Sequence, residues 1–431
     1  MIYIEQVRDL DLGSLLREHM SMHSVPGAAI GVLRDTAVTA AHSGIADVTT
    51  GQPVTTDTRF AVGSLAKSMV ATVIARLAEA DRLSLDDPVA AHVPELRGTD
   101  WAARATLRDL LANRSRLPLR AQVEFSGLPD EADDVLARVA AETAMGAPTA
   151  RFWSYSNAGW CLLGRVIETV TGRTWEEAMR TQLLAPLAME QTTFVHRPVA
   201  EPRASGHRLT PHGPVLAEPW TPRSHGPAGS TLLSTLGDLL RFARCHLDDP
   251  SLTGLRAAHA EVRIHAWLDA WCLGWARFDW AGGPVWGWDG LISGSRAVLR
   301  LVPQHRGAVV LLTNGNSGRA LYRSLFPILM EAWFGIGMPA LRLEAAPGAA
   351  GDLARFAGVY AWPDWRCEVT ASDAHLVIEQ DGATVQALPV DDRTFLVDAG
   401  DPDTPTVTFG AADAGGRPTV LYQMLWGLPR V

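Results

Sequence analysis

The order of the predicted elements constrains the fold of this chain more than any other feature. In its first 345 residues, apolar and polar residues alternate in short runs near both ends, a pattern typical of β-strands. These predicted strands lie at residues 27–33, 36–43, 271–280, 284–289, 295–302 and 307–313. Elsewhere the apolar spacing is helical. The predicted helices lie at residues 9–22, 64–80, 107–112, 132–143, 158–171, 175–184, 236–246 and 319–334, and a loop rich in Pro, His and Gly lies at 197–229.

Strands at both ends of this region and helices in its middle predict an α+β fold. We expect one antiparallel sheet built from both chain ends and flanked by helices, with an all-helical lobe inserted between them. The crevice between sheet and lobe is the expected place for a functional site.

A second unit is predicted after a change in composition. Residues 341–351 are rich in Ala, Gly and Pro, which indicates a linker. Short alternating segments with turn residues between them then follow at 367–371, 375–379, 384–388, 394–397, 406–409 and 419–425. They predict a small antiparallel barrel or sandwich. We therefore divide the chain into residues 1–345 and 352–431, and expect the second unit to pack against the first rather than lend it a loop.

Lys67 is the only lysine among the 38 basic residues of the chain. Arginine keeps its proton, whereas lysine can lose it, so a single retained lysine indicates chemistry that guanidinium cannot perform. Ser64 lies three residues earlier, on the same helical face, which is the S-x-x-K spacing of serine acyl-enzymes. The alternative interpretation of Ser64 is a plain helix N-cap.

A second motif, Tyr155-Ser156-Asn157, precedes another helical segment, and tyrosine occurs only five times in the chain. Together the two motifs resemble the superfamily of class C serine beta-lactamases, penicillin-binding proteins, DD-peptidases and related serine esterases and acyltransferases. The resemblance covers residues 20–345 and implies Ser64 as nucleophile, with Lys67 and Tyr155 as its proton relay. The base is assigned to that pair and not to one member.

The same resemblance implies further site residues. The oxyanion hole would consist of the backbone N–H groups of Ser64 and Leu291. Asn157 would contact a substrate amide or orient the lysine, although an N-cap for the following helix is the alternative. His225 lies in a loop that borders the site in relatives, and a surface histidine is its alternative interpretation.

The resemblance also implies that the third motif, Trp288-Asp289-Gly290, lines the substrate site, although this motif departs from the common pattern. Most members have lysine or histidine where Trp288 stands, and that cation meets a substrate carboxylate. Its absence disfavours beta-lactam hydrolysis and carboxypeptidase activity and resembles the W-x-G motif of the esterase and acyltransferase branch. A tryptophan packed in the core is the alternative. The C-terminal unit resembles the lipocalin-like domain that several members carry.

Composition and simple motifs limit the other functional classes. A net charge of −9 without a basic block disfavours nucleic acid and anionic membranes as partners. The first residues lack the cations of a signal peptide, and no run of eighteen apolar residues follows, so we expect a cytoplasmic protein without a membrane span. Four well-separated cysteines predict free thiols. No metal or cofactor is predicted, because no ligand or nucleotide motif is present.

The sequence therefore predicts a serine hydrolase or acyltransferase. An acyl-Ser64 intermediate would form from an ester, thioester or amide of a small molecule or peptide in biosynthetic metabolism. The acceptor would be water, an alcohol or an amine, with a carrier protein as a further candidate partner. A site rich in tryptophan would exclude water and favour transfer. The tryptophans expected there are Trp153, Trp160, Trp286 and Trp288. Alternatives are a penicillin-binding-type thioesterase or peptide cyclase, a D-amino-acid peptidase, and a non-catalytic binder or sensor.

Overall fold

The structure is a computed structural model that describes most of the chain. The described residues are 10–115, 117, 152–196, 202–219, 221, 223–264, 268–339, 343–362, 365–397 and 406–431. The helix predicted at residues 132–143 lies outside them.

The first unit contains a large antiparallel sheet and smaller ones. Its described strands are β1 Gly27–Arg34, β2 Ala37–Asp47, β3 Gln52–Pro53, β4 Phe60–Ala61, β5 Thr193–Phe194, β6 His207–Thr210, β7 Gly213–Leu216, β8 Leu232–Ser234, β9 Ala260–Ile264, β10 Leu268–Trp271, β11 Ala276–Trp280, β12 Gly283–Ile292, β13 Ser295–Val302 and β14 Gly307–Thr313. Nine of them form one sheet in the order β3-β2-β1-β14-β13-β12-β11-β10-β9. The predicted antiparallel sheet made from both chain ends is confirmed.

The centre of this sheet joins the two chain ends directly. Strand β1 pairs with β14 from Ala28 opposite Thr313 to Arg34 opposite Gly307. Both strands are almost continuous apolar runs and are buried along nearly their whole length. Such runs suit strands that are covered on both faces, because neither face then needs a polar side chain. The sheet is therefore the middle layer of the unit.

Nine α-helices are described in this unit. They are α1 Leu12–Met22, α2 Ala66–Glu79, α3 Val89–His92, α4 Asp100–Arg104, α5 Leu107–Leu111, α6 Asn157–Thr171, α7 Trp175–Met179, α8 Leu236–Asp248 and α9 Gly318–Phe334. Local signals start several of them, since Asp11 caps α1, Thr106 forms a capping box with Asp109 in α5, and Thr235 caps α8.

The helices cover opposite faces of the sheet. On one face α1 and α9 lie side by side, with His19 Nδ1 of α1 2.9 Å from Ser324 Oγ of α9. On the other face α8 packs its Leu236 and Leu240 side chains onto Gly31 of β1. Helices α2 to α7 form the inserted helical lobe beside that second face. The chain passes from β4 into α2 where the sheet meets the lobe, so Ser64 and Lys67 lie at this boundary.

Local differences from the prediction have simple causes. Ser64 belongs to a 3₁₀ turn, Gly63–Leu65, and α2 begins only at Ala66. The segment 271–280 forms two strands separated by a turn. The predicted loop 197–229 contains the hairpin β6–β7 and a 3₁₀ turn at Arg223–Ala228. The Gly and Pro residues of this stretch predicted a loop, but short hairpins contain the same residues in their turns.

The C-terminal unit is a nearly closed antiparallel barrel of eight described strands. They are β15 Gly358–Trp362, β16 Trp365–Ala371, β17 Leu376–Gln380, β18 Ala383–Pro389, β19 Thr394–Leu396, β20 Thr406–Ala412, β21 Pro418–Gln423 and β22 Trp426–Pro429. Each pairs with the next along the chain, and a bridge between Tyr360 and Arg430 links the first strand to the last. Phe356, Phe395 and Phe409 pack against one another at its centre. The predicted small barrel is confirmed.

Two further properties bear on the sequence predictions. All four cysteines are free thiols, and three of them are buried. No helix in the described part of the chain combines the length and the apolar character needed to cross a lipid bilayer.

Candidate active site

Ser64 and Lys67 meet at the start of α2. The 3₁₀ turn holds Ser64 just ahead of the helix, and Lys67 lies in the first turn of α2. Lys67 Nζ is 3.0 Å from Ser64 Oγ and donates a hydrogen bond of 2.5 Å to the backbone carbonyl of Ala228. The carbonyl holds one side of the ammonium group, so the amine stays directed at the serine.

The surroundings of Lys67 favour its neutral form. The side chain is completely buried among apolar residues of α2 and the lobe. Burial lowers the pKa of Lys67 from its ordinary value to about 7, and the nearby Cys161 thiol opposes this shift only in part. An ammonium group loses its hydration when it is buried, which destabilises the charged form. The neutral amine is therefore far more populated at pH 7 than in an exposed lysine.

Tyr155 completes a compact group around the serine. Its hydroxyl is hydrogen-bonded to the Ser64 side chain and accepts a hydrogen bond of 3.4 Å from the Trp288 indole. Lys67 Nζ lies 5.0 Å from the centre of the phenol ring. Burial raises the pKa of Tyr155, and the two hydrogen bonds lower it by less. The phenol is thus protonated at neutral pH, so Lys67 is the better proton acceptor of the pair.

Strand β12 brings a second backbone amide to the serine. At Gly290 a β-carbon would lie 1.7 Å from Val62 O and 3.0 Å from Ser64 N, so only glycine allows this approach. A β-carbon on Gly63 would lie 2.6 Å from Leu291 N. The Leu291 side chain itself is 57% exposed, so it is the backbone of this residue that faces the serine turn. The amides of Ser64 and Leu291 are therefore neighbours, as an oxyanion hole requires.

An aromatic cluster covers the tyrosine. Trp288 is 4% exposed, with its ring centre 5.5 Å from that of Tyr155 and 4.7 Å from that of Trp271. Trp153 packs on Trp271 at 6.0 Å. Trp288 is thus both a buried packing residue and a direct partner of Tyr155, so the two interpretations of this residue are compatible.

The other two expected tryptophans have polar partners of their own. Trp160 is fully buried and donates to Asn113 Oδ1, which also accepts from Ser156 N next to Tyr155. Trp286 donates to the carbonyl of Arg256. Trp271 was not predicted from the sequence, because nothing in its local sequence distinguishes it from the other tryptophans.

Asn157 is not the cap of α6. Ser156 is the N-cap, and its hydroxyl accepts a hydrogen bond from Gly159 N. The N-cap alternative for Asn157 is therefore wrong. Its side-chain oxygen Oδ1 is buried, and no hydrogen-bond donor among the described residues meets it. A buried amide oxygen without a donor is costly unless a ligand supplies one.

Asp289 points away from the serine. Residues paired across an antiparallel sheet share a face, and Trp288 pairs with Leu299 on the face that carries the site. Asp289 lies on the opposite face, where its carboxylate forms ion pairs with Arg296 at 3.2 Å and Arg300 at 2.6 Å. Arg300 also donates to Tyr322 of α9. The structure does not bring Asp289 to Ser64, because strand alternation turns it toward α9.

His225 is buried, so the surface-histidine alternative is wrong. Its carbonyl accepts hydrogen bonds from Gly229 and Ser230 N–H groups at 3.0 and 3.2 Å. These bonds fold the turn that presents the Ala228 carbonyl to Lys67. Ala228 was not predicted from the sequence, since a backbone carbonyl has no signature in the side-chain pattern.

Comparisons with known proteins agree with this geometry. The family model named Beta-lactamase matches residues 12–329. Penicillin-binding protein 4 of Amycolatopsis lactamdurans is 34% identical to the chain over 361 residues, which are 78% of this chain and 93% of that relative. This chain belongs to the beta-lactamase family. The family match ends before the barrel begins.

Solved structures extend the likeness to the whole chain. SurE is similar with a TM-score of 0.81 and 29% identity, over 97% of this chain and 98% of that one. A penicillin-binding protein homologue from Pyrococcus abyssi shares the fold, with a TM-score of 0.68 and 22% identity over 97% of this chain and all of its own. The architecture of this chain, including its barrel, is therefore shared with other solved structures. In the described part of this family member, no three His, Cys, Asp or Glu side chains cluster as metal ligands would.

Because Asp289 forms ion pairs on the face opposite Ser64, replacing it should lower the stability of the protein without changing the reactivity of Ser64. We expect Asp289→Asn to lower the free energy of unfolding by about 3 kcal/mol, because Arg300 would remain buried without its counter-ion. Urea unfolding measures this change. Labelling of Ser64 by a fluorophosphonate at 25 °C should stay within about twofold of wild type. Normal stability with slow labelling would instead place Asp289 in the site.

The lowered pKa of Lys67 predicts a pH profile. Only the neutral amine accepts the Ser64 proton, so the rate of fluorophosphonate labelling should rise with pH and level off above about 7. Lys67→Arg should react at least about 100-fold more slowly and show no step near pH 7, because guanidinium stays charged. Circular dichroism checks that the variant is folded. A labelling rate close to wild type in this variant would contradict a role of Lys67 as base.

Proposed function

We propose that this chain is a serine acyltransferase that forms an acyl-Ser64 intermediate and passes the acyl group to an amine or alcohol, with hydrolysis as the competing outcome. The observation that carries the proposal is the buried Lys67 amine, 3.0 Å from Ser64 Oγ and with a pKa of about 7. A serine hydroxyl next to a neutral base is an activated nucleophile.

The acylation step can be written with its protons balanced. Lys67 Nζ takes the proton of Ser64 Oγ as the oxygen attacks the carbonyl carbon of the donor. The oxyanion that results is held by the N–H groups of Ser64 and Leu291. The bond to the leaving group then breaks, and the Tyr155 hydroxyl gives that group a proton. Lys67 returns its proton to Tyr155, and the acyl-serine ester remains.

The second half of the reaction depends on what reaches the ester. An incoming amine or alcohol attacks the acyl carbon and loses its proton to the same relay, which protonates Ser64 Oγ as the bond between that oxygen and the acyl carbon breaks. Water would give the free acid in the same way. The aromatic cluster of Trp153, Trp271 and Trp288 surrounds Tyr155 with apolar surface, which lowers the local concentration of water and favours transfer.

The donor is proposed to be a peptide or amino-acid derivative. Asn157 Oδ1 lacks a donor within the described chain, and a substrate amide N–H would supply one. SurE, which resembles this chain over nearly its full length, has been solved with D-Leu. We therefore propose a donor whose activated carbonyl belongs to an apolar D-configured residue, as an ester or as a thioester on a carrier.

Penicillin recognition is the second candidate, because a relative is named penicillin-binding protein 4. Trp288 argues against it, since an indole N–H cannot neutralise a carboxylate as lysine or histidine does. A third possibility, binding without catalysis, would leave the buried Lys67 unexplained, because a binder gains nothing from a depressed amine pKa.

The test is a product assay with and without an acceptor. An N-acyl-D-leucine ester is incubated with the protein, alone and with increasing amounts of a primary amine, and products are separated by mass. We expect the amide to replace the free acid as amine is added, without a fall in the rate of ester consumption, because both products form from the same acyl-Ser64.

The controls separate the alternatives. Ser64→Ala should give neither product. The corresponding L-leucine ester should react at least about tenfold more slowly if the donor site is chiral. Free acid alone at every amine concentration would reject the transferase and leave a hydrolase. No reaction and no fluorophosphonate adduct on Ser64 in folded protein would favour the non-catalytic binder.

A further inference from the structure

The C-terminal barrel is attached to the segment that carries Tyr155. Residues 152–156 have no helix or strand structure of their own and run into α6. The turn between β21 and β22 lies beside them, where Leu425 O accepts a hydrogen bond of 3.0 Å from Tyr155 N. The amide of the tyrosine is therefore held by an atom of the other unit.

A second hydrogen bond fixes the neighbouring residue. Gly427 N donates to Ser154 Oγ at 3.1 Å. On its other side the segment is held by Asn113, whose carbonyl accepts from Ser154 N at 2.9 Å and whose Oδ1 accepts from Ser156 N at 3.3 Å. The Tyr155 segment is thus clamped between Asn113 of the lobe and the β21–β22 hairpin of the barrel.

The hairpin fits this segment closely. A β-carbon on Gly427 would lie 2.7 Å from Trp153 O and 3.0 Å from the Phe152 ring. Because no space separates the two backbones, a displacement of the hairpin moves the segment as well. Tyr422 of β21 adds a ring contact with Trp153 at 6.0 Å.

Trp362 holds the hairpin from within the barrel. Its indole Nε1 donates a hydrogen bond of 2.6 Å to Gly427 O. The ring also packs on Phe152 at 5.5 Å, and the side chain is 4% exposed. Trp362 therefore donates a hydrogen bond to the hairpin and also packs against the Tyr155 segment, although it lies about two hundred residues after Tyr155 in the sequence.

We propose that the barrel is part of the catalytic apparatus, and that the β21–β22 hairpin and Trp362 position Tyr155 over Ser64. This inference rests on the proposed function, because it concerns the geometry of the same tyrosine. Trp362 touches no reacting atom, so it is a positioning residue that acts through Tyr155. The Tyr155 hydroxyl must remain in reach of Ser64, and a misplacement of about 1 Å costs catalysis about a hundredfold.

A double-mutant cycle tests the proposal on the full-length protein. The rate of fluorophosphonate labelling of Ser64 is measured at 25 °C for wild type, Trp362→Phe, Tyr155→Phe and the double variant. Phenylalanine keeps an aromatic ring but cannot donate to Gly427 O. We expect Trp362→Phe to slow labelling by about tenfold or more, and to have less than about a twofold effect when Tyr155 is already phenylalanine.

Tyr360→Phe is the matched control. Tyr360 lies two residues before Trp362 in β15 and is fully buried, and its hydroxyl donates a hydrogen bond of 2.9 Å to Phe356 O within the barrel. This variant also loses a buried hydrogen bond to a backbone carbonyl of the barrel, and it should label within about twofold of wild type. Ser154→Ala, which removes the acceptor of Gly427 N, repeats the test if Trp362→Phe does not fold.

Each outcome decides the proposal. Slower labelling that disappears in the Tyr155→Phe background supports it. An equal loss in both backgrounds, or no loss in either folded variant, shows that the hairpin does not act through Tyr155 and overturns the proposal while acylation of Ser64 stands. A Tyr155→Phe variant that labels at the wild-type rate overturns the assigned role of the tyrosine together with it.

Discussion

The burial of a single amine next to a serine is the interaction on which this site depends. The Lys67 side chain is completely buried, and its amine meets Ser64 and the Ala228 carbonyl, so burial destabilises the charged form and the pKa of Lys67 falls to about 7. Several parts of the fold serve this burial. The 3₁₀ turn places Ser64 just before α2, and the Arg223–Ala228 turn supplies the carbonyl that bonds Lys67. The other helices of the lobe bury the first turns of α2. A glycine at position 290 then lets β12 approach the same turn.

Much of this arrangement was predictable from the sequence, because the signals are local. The S-x-x-K spacing placed Ser64 and Lys67 on one helical face, and strand periodicity at both chain ends predicted the sheet that joins them. The Tyr155-Ser156-Asn157 motif predicted that Tyr155 lies in the site. Asp289 was interpreted as a site residue because it lies within the third motif, although strict strand alternation puts it on the face opposite Trp288. Asn157 was given the N-cap as an alternative, but the hydroxyl of Ser156 fills that position.

The parts that sequence could not predict act through backbone atoms or distant contacts. The Ala228 carbonyl, Leu425 O and Gly427 N have no side-chain pattern that marks them, and Trp271 joins the cluster only through the fold. The barrel strands themselves were predictable from their alternation, but their docking on residues 152–156 was not. Under the proposed mechanism the two units of the chain form one site, since the segment that carries Tyr155 in the first unit is held by a hairpin of the second.

The most direct test of this account is the titration of Lys67 itself. Because the chain has a single lysine, protein grown with lysine labelled at Cε gives one side-chain NMR signal, and a Lys67→Arg variant assigns it by removing it. The account predicts that the chemical shift of this signal changes with a midpoint near pH 7. A midpoint near 10, the value of an ordinary exposed lysine, would contradict it.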